Sequence, residues 1–132
     1  MARIKQVILY RRDLKMRKGK IAAQVAHASM RVFFNLAETS ENTLSMALND
    51  EMMAWVKGAF TKVVLSVEGE AALLKAYEEA LSRGLPAALI RDSGRTEFRG
   101  VPTLTTVAIG PALAARIDEV TGREGVVETK LA

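Results

Sequence analysis

The sequence predicts an α/β sandwich, and three observations carry that expectation. Short β-branched apolar runs alternate with longer segments of helical spacing, the last two runs follow each other with no helix between them, and 49% of the 132 residues are hydrophobic with only 3 Pro. That apolar content suffices for one domain with a real core and excludes a disordered chain. The order reads β-α-α-β-α-β-β-α with a tail, and the direct connection of the last two strands allows an antiparallel or mixed sheet. No repeat, low-complexity segment or domain boundary interrupts it, so we expect a single domain over residues 1–132.

Residues 4–10 (IKQVILY) have the character of a strand buried on at least one face. A basic loop over 11–18 leads to Gly19 and an alanine-rich helix. At roughly 3.6 residues per turn, Lys20, Gln24 and His27 share one face of that helix and Arg31 continues it. Ile21, Val25, Val32, Phe33 and Leu36 gather opposite, which predicts that one side packs and the other is free for chemistry. Helix character fades over 38–43 (ETSENT), where Ser40 or Asn42 is placed to cap a second helix from about 44 to 57, with Met46, Met52, Met53 and Trp55 as its apolar residues. Gly58 ends it, and 61–67 (TKVVLSV) reads as the second strand. Apolar positions from Ala72 to Leu81 follow helical spacing up to Gly84. Strands at 87–91 and 103–109 come next, and Pro111 is positioned to open a last helix to about Val120.

Composition removes several chemistries. With no Cys, disulfides and thiolate catalysis are excluded, and a single His makes a histidine-based metal cage untenable. No signal peptide and no unbroken apolar stretch of membrane length is present, so cytoplasmic residence is the default expectation. The net charge of +4 matters less than its placement, because Arg11, Arg12, Lys15, Arg17, Lys18 and Lys20 crowd into ten residues opposed only by Asp13. Such a patch suits a phosphate backbone, and equally a solvated loop kept for solubility.

The second informative stretch is residues 91–97 (RDSGRTE), beyond the carboxyl end of a predicted strand, where open α/β sheets place their sites. Asp92 and Gly94 also fit plain turn chemistry. Neither a Ser-His-Asp order nor a nucleotide-binding glycine motif occurs, and His27 has no acidic or nucleophilic partner at a recognisable spacing. What remains is a water-using hydrolase or a binding module.

Four segments in register then resemble one family. DLKMRKGKIAAQVAHAS (13–29), WVKGAFTKVVLSV (55–67), GLPAALIRDSGRTEF (84–98) and TLTTVAIGP (103–111), followed by IDEVTG (117–122), are similar to the type 2 peptidyl-tRNA hydrolases, over about residues 4–122. The resemblance implies hydrolysis of the ester between a peptide and the terminal ribose of tRNA, recycling tRNA from aborted translation. It also implies a mixed four-stranded sheet flanked by helices on both faces, no metal or organic cofactor, and a homodimer. By position in the family motifs it marks Lys20, Asp92, Thr96 and Thr105 as the catalytic group, with Gln24, His27 and Arg95 as further substrate-binding candidates. Arg12, Lys15, Arg17 and Lys18 would then meet tRNA phosphates. The sequence departs from the family pattern at DSGRT in place of DAGRT, at a turn over 99–102 that is one residue longer, and in a variable tail from about residue 123. A non-catalytic tRNA- or protein-binding module on the same fold is the rival reading.

Overall fold

In the computed structural model, which describes residues 2–95 and 97–132, the first apolar run becomes β1 (Ile4–Arg11), the strand on which the sheet is assembled. Val7, Ile8 and Leu9 are fully buried, because neighbours lie on both edges of β1 and helices on both faces. β4 (Lys62–Val67) pairs with it in parallel and β6 (Thr103–Leu113) antiparallel. β5 (Ala87–Asp92) lies antiparallel beyond β6, and the tail supplies β7 (Lys130–Leu131) beyond β4, so the order is β5-β6-β1-β4-β7. The mixed sheet expected from the sequence is present, and the tail adds a short fifth strand.

A parallel pair needs a long crossover. Between β1 and β4 the chain provides α1 (Lys18–Phe34), the hairpin of β2 (Ala37–Ser40) and β3 (Thr43–Met46), and α2 (Asp50–Lys57). The second helix is therefore shorter than its predicted span. Asn49 caps it, accepting from the Met52 N–H at 2.8 Å, in place of Ser40 or Asn42. The physical reason lies in residues 37–46: most of them are exposed, so a helix there would have no apolar face to bury, and tertiary packing is what stabilises short helices.

β4 leads through α3 (Glu70–Ser82) to β5, and β6 leads directly into α4 (Ala114–Thr121). Pro111 does not open that helix. It sits inside β6 after a cis Gly110–Pro111 bond, because pairing with β1 continues past it to Ala112 and Leu113, opposite Lys5 and Ile4.

Two cores result. On one face Ala28 and Val32 of α1 and Met52 of α2 pack on Ile8, Ala88, Ile90 and Ala108. On the other, Leu73, Ala76 and Ala80 of α3 and Ile117 and Val120 of α4 cover Val7, Leu9, Val107 and Ile109. Since β1, β4 and β5 run the same way, their carboxyl ends share one edge, which brings Arg11, Val67 and Asp92 together with the N-terminus of α1.

Candidate active site

Asp92 is the last residue of β5 and follows Ala88 and Ile90 in the strand alternation, so its side chain is on the α1 side of the sheet. There its Oδ1 accepts from Lys20 Nζ at 2.9 Å and from Gln24 Nε2 at 3.1 Å, while Oδ2 accepts from the Gly94 N–H at 2.9 Å. The Lys20 and Asp92 side chains are only 13% and 12% exposed. Burial pushes the carboxyl up, but the Lys20 hydrogen bond, the Gly94 amide, the Lys20 charge and the Gln24 amide together outweigh it and hold Asp92 below the usual carboxylate range. The group is therefore an anion at neutral pH.

Gln24 is oriented from beneath. Thr105, fully buried, donates its hydroxyl to Gln24 Oε1, which fixes the amide so that its NH₂ faces Asp92. The neighbouring Thr106 donates to the Gln24 main-chain carbonyl at 3.1 Å. Successive strand residues ordinarily face opposite sides, yet these two hydroxyls meet the same helix. The register explains it: Ile90 pairs with Thr106 and Arg91 with Leu104, leaving Thr105 as the extra residue of a β-bulge, a device that re-aims a side chain. Thr105 thus reaches Asp92 only through Gln24.

The loop after β5 closes over this group. Gly94 has φ +84, and a Cβ there would fall 2.4 Å from the Val101 carbonyl oxygen, so only glycine lets the loop bring that N–H to Asp92. The Phe98 ring lies with its centroid 5.7 Å from Lys20 Nζ, a cation–π contact that the sequence alone did not suggest. Arg95 is exposed on the same loop, and Thr96 lies outside the described residues.

The face assignment of α1 needs correction. Gln24, Ala28 and Val32 are the buried residues of the helix, so the chemical stripe starting at Lys20 is also the packed stripe, whereas Ile21 and Val25 are only partly buried. The reason is the i, i+4 row, which lies against β5 and β6. His27, one residue off that row, is exposed and enters none of the hydrogen bonds around Asp92 among the described residues.

The basic cluster divides in two. Arg11 is clamped by Asp13 at 2.7 Å, lies 3.6 Å from Glu70, and donates to the Leu104 carbonyl. Arg12 donates to the carbonyl of Ser66. Lys15, Arg17 and Lys18, by contrast, are exposed beside the α1 N-terminus. An apolar groove of about 640 Å³ runs along another flank of α1, among Ile21, Val25, Met30, Phe60 and Val64. It contains neither Lys20 nor Asp92. Among the described residues no three His, Asp or Glu side chains converge as a metal site would need, and no helix is long and apolar enough to cross a membrane.

The carboxyl-end edge of this mixed α/β sheet presents a lysine-paired, part-buried carboxylate where α/β enzymes place their active sites. Residues 4–123 match the model of a family described as peptidyl-tRNA hydrolase PTH2. The chain is 42% identical over 118 residues to a peptidyl-tRNA hydrolase of Methanopyrus kandleri, covering 89% of this chain and 93% of that one. It is 43% identical over 119 residues to one of Aeropyrum pernix, covering 89% and 91%, and 40% identical over 116 residues to one of Methanococcus maripaludis, covering 88% and 92%. A solved structure of a protein of unknown function from Agrobacterium tumefaciens superposes with a TM-score of 0.59 over 100% of this chain and 99% of that one; at 12% identity it shows the fold alone. The chain belongs to the peptidyl-tRNA hydrolase PTH2 family.

Proposed function

We propose that this chain hydrolyses the ester of peptidyl-tRNA, with Asp92 and Lys20 at the reacting centre. The observation that carries the reading is the donor pattern on Asp92. Its Oδ1 is occupied by Lys20 and Gln24, whereas Oδ2 accepts only the Gly94 amide among the described residues. A carboxylate oxygen has two lone-pair sites, so Oδ2 keeps one to hold a water. A carboxyl held below its usual range is a weak proton acceptor, so Asp92 acts chiefly by orienting and polarising that water. As the water oxygen adds to the ester carbonyl, negative charge grows on the carbonyl oxygen, and the Lys20 ammonium stabilises it in a site partly shielded from solvent. Collapse breaks the bond to the terminal ribose oxygen, which leaves with a proton as the free tRNA hydroxyl, while the peptide departs as a carboxylic acid.

In this reading Gln24 and Thr105 position Asp92, Thr96 and Arg95 contribute to the ester-binding rim, and His27 belongs to a more distant part of the substrate surface. Lys15, Arg17 and Lys18, with Arg12 behind them, meet tRNA phosphates, which gives binding that falls with salt and ignores base sequence. The enzyme acts in the cytoplasm as a homodimer, a state that analytical ultracentrifugation reads directly. The decisive assay follows acyl release from N-acetylaminoacyl-tRNA and from unblocked aminoacyl-tRNA. Hydrolysis of the first and sparing of the second is expected; release from neither by folded protein overturns the proposal in favour of a binding module.

A further inference from the structure

β5 is an outer strand of the sheet and pairs only with β6. Among the described residues no hydrogen bond reaches its main chain from outside β6. The far side of the sheet is different, because β7 covers Leu65 and Ser66 of β4. Backbone groups without a protein partner bond water, so the free edge of β5 is a row of solvated N–H and C=O groups at strand spacing. In an antiparallel pair alternate residues turn both groups towards the neighbour, so about half of the six residues of β5 present theirs outward. The Pro86 carbonyl accepts from the Gly110 N–H of β6 at 2.8 Å, so alternation turns the groups of Ala87 and Leu89 outward and puts Ala87 at one end of the row. Asp92, the candidate catalytic carboxylate, is at the other.

A free edge that ends on the reacting centre fits one occupant, the peptide of the substrate itself. We propose that the outer edge of β5 holds that peptide as an added strand, reading its main chain and not its side chains; this rests on the hydrolase reading above. With the acyl carbon at Asp92, an extended peptide running back towards Ala87 spans about 20 Å, room for five or six residues. Main-chain pairing suits a substrate whose peptide can have any sequence. The same geometry separates blocked from unblocked substrates. An N-acyl group brings a carbonyl that accepts from an outward N–H of β5, whereas a free α-amine brings a positive charge near Lys20 and no carbonyl to pair.

The test uses tRNAs carrying N-acetylated alanine peptides of one to eight residues. We expect kcat/KM to rise by about two- to tenfold for each outward-facing pair engaged and to level off near six residues. N-methylation of alternate peptide amides should remove the rise, whereas replacing Ala by Ser should change it less than about twofold. Independently of turnover, saturating 3′-(N-acetyltetra-alanyl)amino-3′-deoxyadenosine, with an amide in place of the ester, should slow hydrogen exchange at alternate amides of residues 87–92. Length-independent hydrolysis, or unchanged exchange in β5, overturns the proposal. So does a gain that survives N-methylation and grows with apolar side chains, which would assign the peptide to the groove beside Val25 and Val64. Failure to hydrolyse even N-acetylalanyl-tRNA would strike the hydrolase reading itself, and the exchange measurement would still decide whether β5 receives a strand.

Discussion

Replacing Gln24 by Leu tests whether Gln24 serves Asp92 or the core. The substitution keeps the volume of a residue that is 2% exposed and removes its amide. Two hydrogen bonds disappear, one to Asp92 Oδ1 and one from Thr105. The Thr105 hydroxyl, on a residue with 0% exposure, is then left with only the Thr106 oxygen at 3.5 Å, the limit of hydrogen bonding. An orphaned buried hydroxyl costs about 1–3 kcal/mol, which should appear as a lower urea midpoint with an unchanged m value. The bond to the carboxylate is charge-assisted and worth about 1.5–3 kcal/mol; if the transition state feels all of it, kcat falls about 10- to 150-fold. Thr105→Val instead orphans the Gln24 carbonyl, at a similar cost in stability. In Gln24→Leu/Thr105→Val neither partner is orphaned, so the double variant should be more stable than the sum of the singles predicts by about 1–3 kcal/mol. Its kcat should match that of Gln24→Leu, because Thr105 acts only through Gln24. Stabilities that add within about 0.5 kcal/mol, or a further kcat loss in the double variant, would refute the relay.

Three other outcomes follow from the same geometry. Asp92→Asn should lower kcat by at least about 10³-fold with tRNA affinity nearly intact, whereas Lys18→Ala should leave kcat unchanged, weaken tRNA binding and reduce its salt slope by about one; filter binding across a salt series separates them. Gly94→Ala forces a Cβ against Val101 at a positive φ, and should cost more than about 1 kcal/mol of stability in thermal melts while slowing turnover, because the Gly94 amide leaves Asp92. Because the folded-state pKa of Asp92 is lowered, its ionisation contributes stability at any pH above the ordinary carboxylate value, and that contribution is lost as pH falls through the lowered folded value. The acid limb of kcat/KM should accordingly lie below the ordinary carboxylate range, and Asp92→Asn should flatten part of the acid loss of stability; a limb above that range would contradict the Lys20 pairing.

Much of this arrangement could be read from residue order. Strands β1, β4, β5 and the first part of β6, and the helical spacing of α3, follow directly from local pattern, whereas β7 in the tail does not; the i, i+4 relation of Lys20 and Gln24 already put them on one face. Local pattern failed where partners are distant in sequence. The packed stripe of α1 looked like a free polar face because Gln24 is polar, and its burial depends on Thr105 and Thr106, some eighty positions away. Two adjacent threonines in an apolar strand were the available signal, but alternation assigns them to opposite faces, and the bulge that turns both inward is a property of pairing. Arg11 was grouped with the exposed cations for a similar reason. The parallel β1–β4 pair places Arg11 opposite Val67, and so brings Glu70, distant in the chain, to within 3.6 Å. The hairpin at 37–46 was not anticipated, and the second helix was started too early at about 44, because the residues from 44 on were read without a surface for that turn of helix to cover.

The pairing of Asp92 with Thr103 also determines what the protein can tolerate between them. The two residues close a loop whose ends the antiparallel ladder holds together, so residues can be gained or lost towards its tip without moving either end. A residue added in that turn would be absorbed there as extra contour, while Asp92, Gln24 and Thr105 keep their mutual geometry. Gly94 bounds this freedom, being wedged against Val101. Length can therefore vary towards the tip of this loop, making it the place where the protein can reshape what it admits to the carboxylate while leaving the carboxylate itself undisturbed.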